Sequence, residues 1–260
     1  MSTTEGPADP YSRVQYRRLV AWGARIEREG PFLLEILDAA PDRSVIDFGC
    51  GTGEHVAFLA EQGAHAVGLD ASASMLEAAT DHERGGLGRF VEGDLREADR
   101  VLAGEPAFGA GLCLGNVLPH LLEDDDLAAF ARAAHAVLRP GGALLLQILN
   151  YVRIREAGLR HLPVNVRPGD ADQEIVFLRL LRVLDEDRIL FFPTTLELDA
   201  DAENPVRLER SKKVVLRTWT REALEGAFAA AGFDVTAHGD MQGGPFLPLE
   251  SADLVLIARR

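Results

Sequence analysis

Three aspartates stand at the ends of short apolar runs of the kind that form buried parallel strands: Asp47, Asp70 and Asp94. A carboxylate accepts hydrogen bonds from hydroxyl and amino groups and attracts cations. Asp70 comes 21 residues after Gly49, near the spacing of about 20 at which an acidic residue ending a second strand binds a ribose. The carboxyl ends of parallel strands meet at one edge of a sheet, so we expect all three carboxylates to contact one nucleoside-bearing ligand. The alternative for Asp70 is a helix cap.

The turn after Asp47 carries glycines at alternate positions, Gly49, Gly51 and Gly53, and leads into an amphipathic run over residues 55–61. Glycines let the backbone turn sharply and approach a ligand, and the free N–H groups of the next helix point at that ligand. The dinucleotide fingerprint needs a glycine where this chain has Glu54, and a carboxylate there would repel a pyrophosphate. The Gly-Lys-Ser/Thr ending of a phosphate-binding loop is also missing from the turn.

The turn Asp-x-Gly-x-Gly-x-Gly resembles motif I of the class I S-adenosylmethionine-dependent methyltransferases, whose cofactor carries no phosphate. Three further stretches resemble the glycine and sarcosine N-methyltransferase branch of that family: Leu114-Gly115-Asn116 with His120, Arg139-Pro140-Gly141-Gly142, and Asn150-Tyr151. Trp22 and Arg25 match an amino-terminal pair that closes over the cofactor in that branch. Val152 departs from the aspartate usual after Asn-Tyr, so the methyl acceptor does not carry over with the cofactor.

The resemblance implies S-adenosyl-L-methionine as cofactor, S-adenosyl-L-homocysteine as product, and no metal. The residues expected to bind the cofactor are Trp22, Arg25, Asp47, Gly49, Cys50, Gly51, Gly53, Asp70, Ala71, Met75, Asp94, Leu95 and Leu114. Those expected to contact the methyl acceptor are Tyr16, Asn116, His120, Asn150 and Tyr151, with Asn116 and His120 as catalytic candidates. Two of these residues also have a purely structural interpretation: Met75 fits a position in the hydrophobic core, and His120 fits a hydrogen bond within its loop.

The order of strands and helices predicts an α/β fold: a Rossmann-like, seven-stranded, mostly parallel sheet with helices on both faces, its final strand antiparallel. A small antiparallel β insertion follows from apolar-alternating runs over residues 175–184, 189–199 and 206–217. Residues 1–9 are expected to form a disordered tail, and 10–40 a helical cap broken at Gly30-Pro31. Residues 41–151 and 219–260 would then form the core, and 152–218 the insertion or lid, with a mobile stretch over 153–169.

The composition argues against large anionic partners. The net charge is -14, and Lys212 and Lys213 are the only lysines, so docking on nucleic acid or an anionic membrane is disfavoured. No run of about 18 apolar residues occurs. Two cysteines, Cys50 and Cys113, fit reduced thiols in a cytoplasmic protein. We expect a small-molecule substrate, and a homodimer stays open.

Methyl transfer from a sulfonium needs a nucleophile held in line with the departing sulfur. A nitrogen acceptor that arrives neutral needs no base, whereas an oxygen acceptor must lose a proton, with His120 the natural candidate. Two other functions remain: a Rossmann dehydrogenase, disfavoured by Glu54, and a non-catalytic cofactor-binding or scaffold protein.

Overall fold

The computed structural model describes residues 16–169 and 173–260, with Tyr16 described by its backbone alone. The tail expected over residues 1–9 lies outside this range. In the described ranges the α-helices are α1 Tyr16–Leu19, α2 Trp22–Asp38, α3 Glu54–Glu61, α4 Ala73–Arg84, α5 Ala98–Val101, α6 Asp124–Val137, α7 Tyr151–Glu156 and α8 Arg221–Ala230. The strands are β1 Ser44–Phe48, β2 His65–Asp70, β3 Arg89–Glu92, β4 Phe108–Cys113, β5 Leu138–Leu149, β6 Asn165–Pro168, β7 Glu174–Val183, β8 Arg188–Leu198, β9 Val206–Ser211, β10 Val214–Arg217, β11 Asp234–His238 and β12 Asp253–Arg259.

The main sheet has seven strands in the order β11-β12-β5-β4-β1-β2-β3. Strands β1 to β5 pair in parallel, while β12 lies antiparallel between β5 and β11. This arrangement confirms the predicted Rossmann-like α/β sheet and its inserted antiparallel final strand. The carboxyl ends of β1, β2 and β4 therefore share one edge.

The sheet has a hydrophobic layer on each face, because successive side chains of a strand point to opposite sides. In β1, Ile46 packs in the layer that contains Phe130 of α6 and Phe228 of α8. Its neighbour Val45 packs in the layer that contains Leu33 of α2 and Leu59 of α3. Helices thus cover both faces, and α2 and α3 lie on the same side as Val45.

Helix α2 corrects one prediction: it runs through Pro31 without a break. Proline in a helix interior costs about 3 kcal/mol because it removes a hydrogen bond. The turn after it buries Phe32, Leu33, Ile36 and Leu37, and each such side chain contributes about 1.5–3 kcal/mol. Tertiary burial therefore outweighs the local cost of the proline.

The second sheet confirms the predicted antiparallel insertion but differs in detail. Its order is β10-β8-β7-β6, and β9 also pairs with β8. The single strand predicted over residues 206–217 is divided into β9 and β10 at Lys212, whose N–H donates to the carbonyl of Pro193. Pro193 has no N–H to return, so the ladder is interrupted there. Helix α7 and strand β6 occupy parts of the stretch expected as a mobile lid.

Three elements of the main sheet and its helices have boundaries that bear on the site. Strand β3 ends at Glu92, and Asp94 instead caps a short 3-10 helix, Leu95–Glu97. Strand β5 already begins at Leu138, because the register with β4 shifts and accommodates the Pro-Gly-Gly segment as a bulge. Helix α4 extends to Arg84. Within residues 16–169 and 173–260, no helix combines the length and apolar character that a membrane span requires.

Candidate functional site

The glycine turn lies at the carboxyl end of β1 with a backbone that favours glycine. Gly49, Gly51 and Gly53 all have positive φ, at 74°, 56° and 86°. The N–H groups of Gly49 and Cys50 both donate to the carbonyl of Leu69, the penultimate residue of β2. A Cβ on Gly49 would lie 2.6 Å from Val117, so the turn packs directly against the segment that follows β4.

Asp70 ends β2 and fixes the glycine turn from the neighbouring strand. Its Oδ2 accepts from the N–H of Gly51 at 2.8 Å, and its Oδ1 accepts from the N–H of Ser72 at 2.8 Å. Ser72, and not Asp70, is the cap of α4, because its Oγ accepts from the N–H of Met75. The carboxylate of Asp70 is thus held at the edge of the sheet beside the turn.

Asp47 is a buried carboxylate with an unpaired oxygen. It is 2% exposed, and its Oδ2 has no hydrogen-bond partner in the described part of the chain. Burial raises the pKa of Asp47 to about 6, an effect that His55 opposes and Asp70 reinforces. An unpaired buried carboxylate is costly, so this position fits a ligand that brings a cationic hydrogen-bond donor.

Arg25 and Trp22 lie on one face of α2. The guanidinium of Arg25 lies 5.0 Å from the centre of the Trp22 ring, and its Nε donates to both oxygens of Glu29. The Nη atoms lie 3.8 Å from where a Cβ of Gly115 would be. Since Gly115 follows β4, this arginine spans from α2 to the functional edge of the sheet.

Glu29 is the buried anchor of that arginine. It is 4% exposed and also lies 3.2 Å from Nε2 of His55. Burial alone would raise the pKa of Glu29, but the hydrogen bonds from His55 and Arg25 outweigh it and hold the pKa at about 2. Glu29 is therefore ionised at neutral pH and keeps the Arg25 side chain in one orientation. The Trp22 indole also contacts His55 edge-on at 5.4 Å, and its Nε1 is buried without a partner among the described residues.

A series of hydrogen bonds through the side chain of Gln147 links the segment after β4 to β5 and β12. Oε1 of Gln147 accepts from the N–H of Gly115, and Nε2 donates to Oδ1 of Asp253, both at 2.8 Å. Burial raises the pKa of Asp253, with Glu29 adding to the rise and Arg25 opposing it. This network supports the backbone of Gly115 opposite Arg25.

The remaining cofactor candidates differ in exposure and in pairing. Cys50, Met75 and Leu114 are buried, and Leu95 is partly exposed. Ala71 is exposed. Asp94 differs from the other aspartates because Arg96 binds its carboxylate through backbone and guanidinium, and this lowers the pKa of Asp94. Any further donor would share that carboxylate with Arg96.

Asn116 follows β4 in the left-handed conformation, with φ 70°. Its side chain is bonded within the chain: Oδ1 accepts from the N–H of Leu149 and from the hydroxyl of Tyr151, and Nδ2 contacts the same hydroxyl at 2.9 Å. Tyr151 is 1% exposed, and burial raises the pKa of its hydroxyl. The pair joins the segment after β4 to the start of α7.

Asn150 is equally enclosed. Its Oδ1 caps α7 by accepting from the N–H of Arg153, and its Nδ2 donates to the carbonyls of Pro248 and Ser251, both at 2.9 Å. The residue is 2% exposed. The structure therefore gives Asn150 a supporting position that joins α7 to the loop before β12.

His120 ends a short 3-10 helix, Leu118–His120. Burial lowers the pKa of His120 to about 4, so its imidazole is neutral at physiological pH. The side chain of Tyr16, the remaining acceptor candidate, lies outside the described residues. Its neighbour in α1, Arg17, binds the glycine turn directly.

Arg17 connects α1 to both helices that follow the first two strands. Its Nε donates to Glu54 at 2.7 Å, and its Nη2 lies 3.2 Å from the carbonyl of Thr52, 3.0 Å from that of Ala78 and 2.7 Å from Nε2 of His82. The carboxylate of Glu54, which disfavours a pyrophosphate, is thus paired by a guanidinium from α1.

Sequence reasoning missed Arg17, Glu29, His55, Gln147 and Asp253 as parts of this region. A usable signal existed for two of them: Gln147 interrupts an apolar strand, and Glu29 occupies a helix position whose neighbours in the pattern are buried. The others depend on contacts between elements distant in sequence.

Comparisons with known proteins match this chain to methyltransferases. The family model described as a methyltransferase domain matches residues 45–142. A glycine/sarcosine N-methyltransferase of Parasynechococcus marenigrum is 38% identical over 146 residues, covering 55% of this chain and 51% of that protein. The chain thus spans about half the length of the curated relatives it matches.

Two solved structures match nearly the whole chain. The amino pentose methyltransferase CalS10 of Micromonospora echinaspora, solved with S-adenosylmethionine bound, gives a TM-score of 0.73 at 24% identity, covering 98% of this chain and 99% of that one. The sugar N-methyltransferase KedS8 of a Streptoalloteichus species gives 0.72 at 25% identity, covering 100% and 98%. The chain therefore has the fold of the class I S-adenosylmethionine-dependent methyltransferases, and its residues 45–142 match the methyltransferase-domain model.

Proposed function

We propose that this protein transfers a methyl group from S-adenosylmethionine to a nitrogen of a small amine. The observation that carries the proposal is the buried, unpaired Oδ2 of Asp47 beside the glycine turn. A cationic amino group is the ligand feature that such a carboxylate lacks, and the aminoacyl end of S-adenosylmethionine brings one. When bound, this cofactor supplies a methyl group already activated by a sulfonium.

Arg25 is proposed to hold the carboxylate of the same aminoacyl end. Its Nε is engaged with Glu29, which leaves the Nη atoms directed toward Gly115. A guanidinium binds a carboxylate through two parallel hydrogen bonds. The unpaired Nε1 of Trp22 supplies a further buried donor next to that position.

The nucleoside end is proposed to lie along the tips of β2 and β3. Asp70 would accept from the ribose hydroxyls while keeping its bonds to the turn, since each carboxylate oxygen has two lone pairs. Met75 and Leu95 would cover the adenine, with Ala71, Cys50 and Leu114 around it. Asp94 would accept from the adenine amino group beside Arg96.

Nitrogen is favoured over oxygen as the acceptor by the state of His120. An oxygen acceptor must lose its proton, and a base is most effective when its pKa lies near the working pH. Burial holds the pKa of His120 at about 4, which makes its imidazole a weak proton acceptor. A neutral amine needs no such base, and the neutral ring can orient it by a hydrogen bond.

Asn116 is proposed to shape the acceptor side from the left-handed position after β4. Tyr151 and Asn150 hold that side in place, because their polar atoms are engaged with Asn116, α7 and the loop before β12. The acceptor is proposed to be a small amine, because the glycine/sarcosine and amino-sugar relatives are named for such substrates.

The test is a methyl-transfer assay with methyl-labelled S-adenosylmethionine, a panel of amino acids, amino sugars and their hydroxyl counterparts, and mass-spectrometric identification of products. We expect S-adenosylhomocysteine to form together with an N-methylated amine. A His120→Ala variant should keep measurable turnover with that amine. Labelled product from the hydroxyl compounds alone, or turnover abolished in His120→Ala with the cofactor still bound, would favour oxygen chemistry instead.

Cofactor binding without turnover on any member of the panel would favour the second reading, a non-catalytic binding protein. A parallel titration with NAD(H) separates these two functions from a dehydrogenase. We expect no binding of NAD(H), because Glu54 occupies the position of the third glycine that a pyrophosphate requires.

A further inference from the structure

Trp219, the residue that directly follows the β insertion, contacts the turn that carries His120. Trp219, two residues after β10, is 4% exposed. Its indole Nε1 donates to two carbonyls, that of Leu118 at 3.1 Å and that of Leu121 at 3.2 Å. These carbonyls lie on either side of Pro119 and His120 in the chain, so one N–H spans the turn.

Arg217 and Arg188 of the insertion make further contacts next to this turn. The guanidinium of Arg217 lies 4.8 Å from the centre of the Trp219 ring, and its Nη1 donates to the carbonyl of Leu122 at 3.2 Å. From the adjacent strand β8, Nη2 of Arg188 donates to Glu123 at 2.8 Å. Trp219 and the insertion thus contact the carbonyls of Leu118, Leu121 and Leu122 and the side chain of Glu123.

The opposite side of the same segment is fixed by the core. Asn116 is bonded to Leu149 and Tyr151, as described above, and the N–H of Asn116 donates to the carbonyl of Gln147. His120 thus lies between one support from β5 and α7 and another from the insertion. A short turn held at both ends has little freedom to reorient its side chain.

We propose that Trp219 is a positioning residue for the methyl acceptor: its indole N–H fixes the turn that orients His120 toward the acceptor. The inference rests on the proposed function, and it gives a role to the contact between the His120 turn and the residue that follows the insertion. A hydrogen bond to a buried carbonyl matters most through the cost of leaving that carbonyl unpaired, so the turn should shift when the donor is removed.

The test removes the donor and keeps the ring, with Trp219→Phe. The matched control is Phe228→Leu, which perturbs the same hydrophobic layer but has no contact with the turn through a polar atom. The first readout needs no turnover: NMR of histidine-labelled protein, with the His120 signal assigned from a His120→Gln sample.

In Trp219→Phe, we expect the His120 ring signals to shift and broaden and their titration midpoint to rise toward that of an exposed histidine. In Phe228→Leu they should stay unchanged, even where the loss of thermal stability is equal. Unchanged His120 signals in Trp219→Phe, or equal changes in both variants, would overturn the inference.

The second readout is kinetic, with the amine acceptor found in the panel assay. Trp219→Phe should raise the KM for that amine about tenfold while leaving the Kd for S-adenosylmethionine unchanged; equal weakening of both would mean general unfolding of the site and overturn the inference. Failure of the proposed function would look different. The wild-type chain would then transfer no methyl group, although the His120 signals still responded to Trp219→Phe alone.

Discussion

The two halves of the site treat their polar groups differently. On the side of the glycine turn, Oδ2 of Asp47 and Nε1 of Trp22 are buried without partners in the described part of the chain. On the acceptor side, the polar atoms of Asn116, Asn150 and Trp219 are bonded within the protein. We propose that a cofactor completes the first half, whereas the polar groups of the second half are already bonded within the protein.

This difference in pairing determines how much each half indicates about its ligand. A buried polar group without a partner indicates what its ligand must supply. Oδ2 of Asp47 indicates a hydrogen-bond donor with a positive charge, and Nε1 of Trp22 indicates an acceptor. On the proposed acceptor side the polar residues are bonded to one another and to the backbone, so they indicate little about the chemistry of the acceptor. The relatives are named for different acceptors, glycine and sarcosine in one case and an amino pentose in another.

The sharpest way to break this comparison is Asp47→Asn. The substitution removes the negative charge and keeps the shape, so we expect the Kd for S-adenosylmethionine to rise about 100-fold, equivalent to about 2.7 kcal/mol. The ligand-free protein should melt at a higher temperature, because an unpaired buried carboxylate has been removed. Calorimetric titration and thermal melts measure the two effects.

Asp38→Asn is the control for that prediction, because Asp38 pairs with Arg43 on the surface at the far end of α2. It should change neither quantity. Equal cofactor affinity in Asp47→Asn and wild type would remove Asp47 from the site.

A second test addresses the contact that joins the halves, Gly49 against Val117. Gly49→Ala introduces a Cβ 2.6 Å from the valine side chain at a positive φ, so we expect a loss of about 3 kcal/mol in the free energy of unfolding. Gly51→Ala has a similar φ but open space, and should cost about 1 kcal/mol. Urea denaturation of both variants measures the difference; equal losses would mean that the Val117 contact adds nothing.

The pH dependence sharpens the charge argument. Because the pKa of Asp47 lies at about 6, its carboxylate becomes protonated as the pH falls below that value and loses its attraction for a cation. Between about pH 7.5 and pH 5 the Kd for S-adenosylmethionine should rise about tenfold, while the Kd of Asp47→Asn should stay flat.

The stability of the ligand-free protein should change in the opposite sense over the same range. The folded chain holds the Asp47 proton more tightly than the unfolded chain, so this residue's contribution to the free energy of unfolding rises as the pH falls through 6. The contribution of Glu29 is lost only at lower pH, below about 4.5, because its folded pKa is depressed. Denaturation curves of wild type and Asp47→Asn at several pH values isolate the contribution of Asp47 to the free energy of unfolding. A pH-independent difference between the two would contradict the assignment.

The smallest expected effect comes from Glu29→Gln. Arg25 would lose its charged anchor but keep its place on α2, so the Kd for S-adenosylmethionine should rise about fivefold. Glu35→Gln on the exposed side of the same helix should leave the Kd unchanged. A Kd that fails to change in Glu29→Gln would show that Arg25 holds its orientation without Glu29.

The parts of this picture that could be predicted from sequence are those encoded locally. The glycine turn, the strand ends near Asp47 and at Asp70, and the antiparallel insertion follow from spacing and apolar alternation. The predicted break at Gly30-Pro31 was wrong, because burial of the side chains after Pro31 outweighs the cost of a proline inside a helix. Arg17, Gln147 and Trp219 could not be assigned, because their roles come from contacts across tens of residues, and the enclosure of Asn150 and Tyr151 likewise appears only in three dimensions.

The most direct measurement is a crystal structure of the protein with S-adenosylhomocysteine. The account predicts the amino group of the ligand within hydrogen-bond distance of Asp47, its carboxylate on Arg25, and its ribose on Asp70. A ligand bound elsewhere, or an Asp47 carboxylate still unpaired beneath a bound ligand, would contradict it.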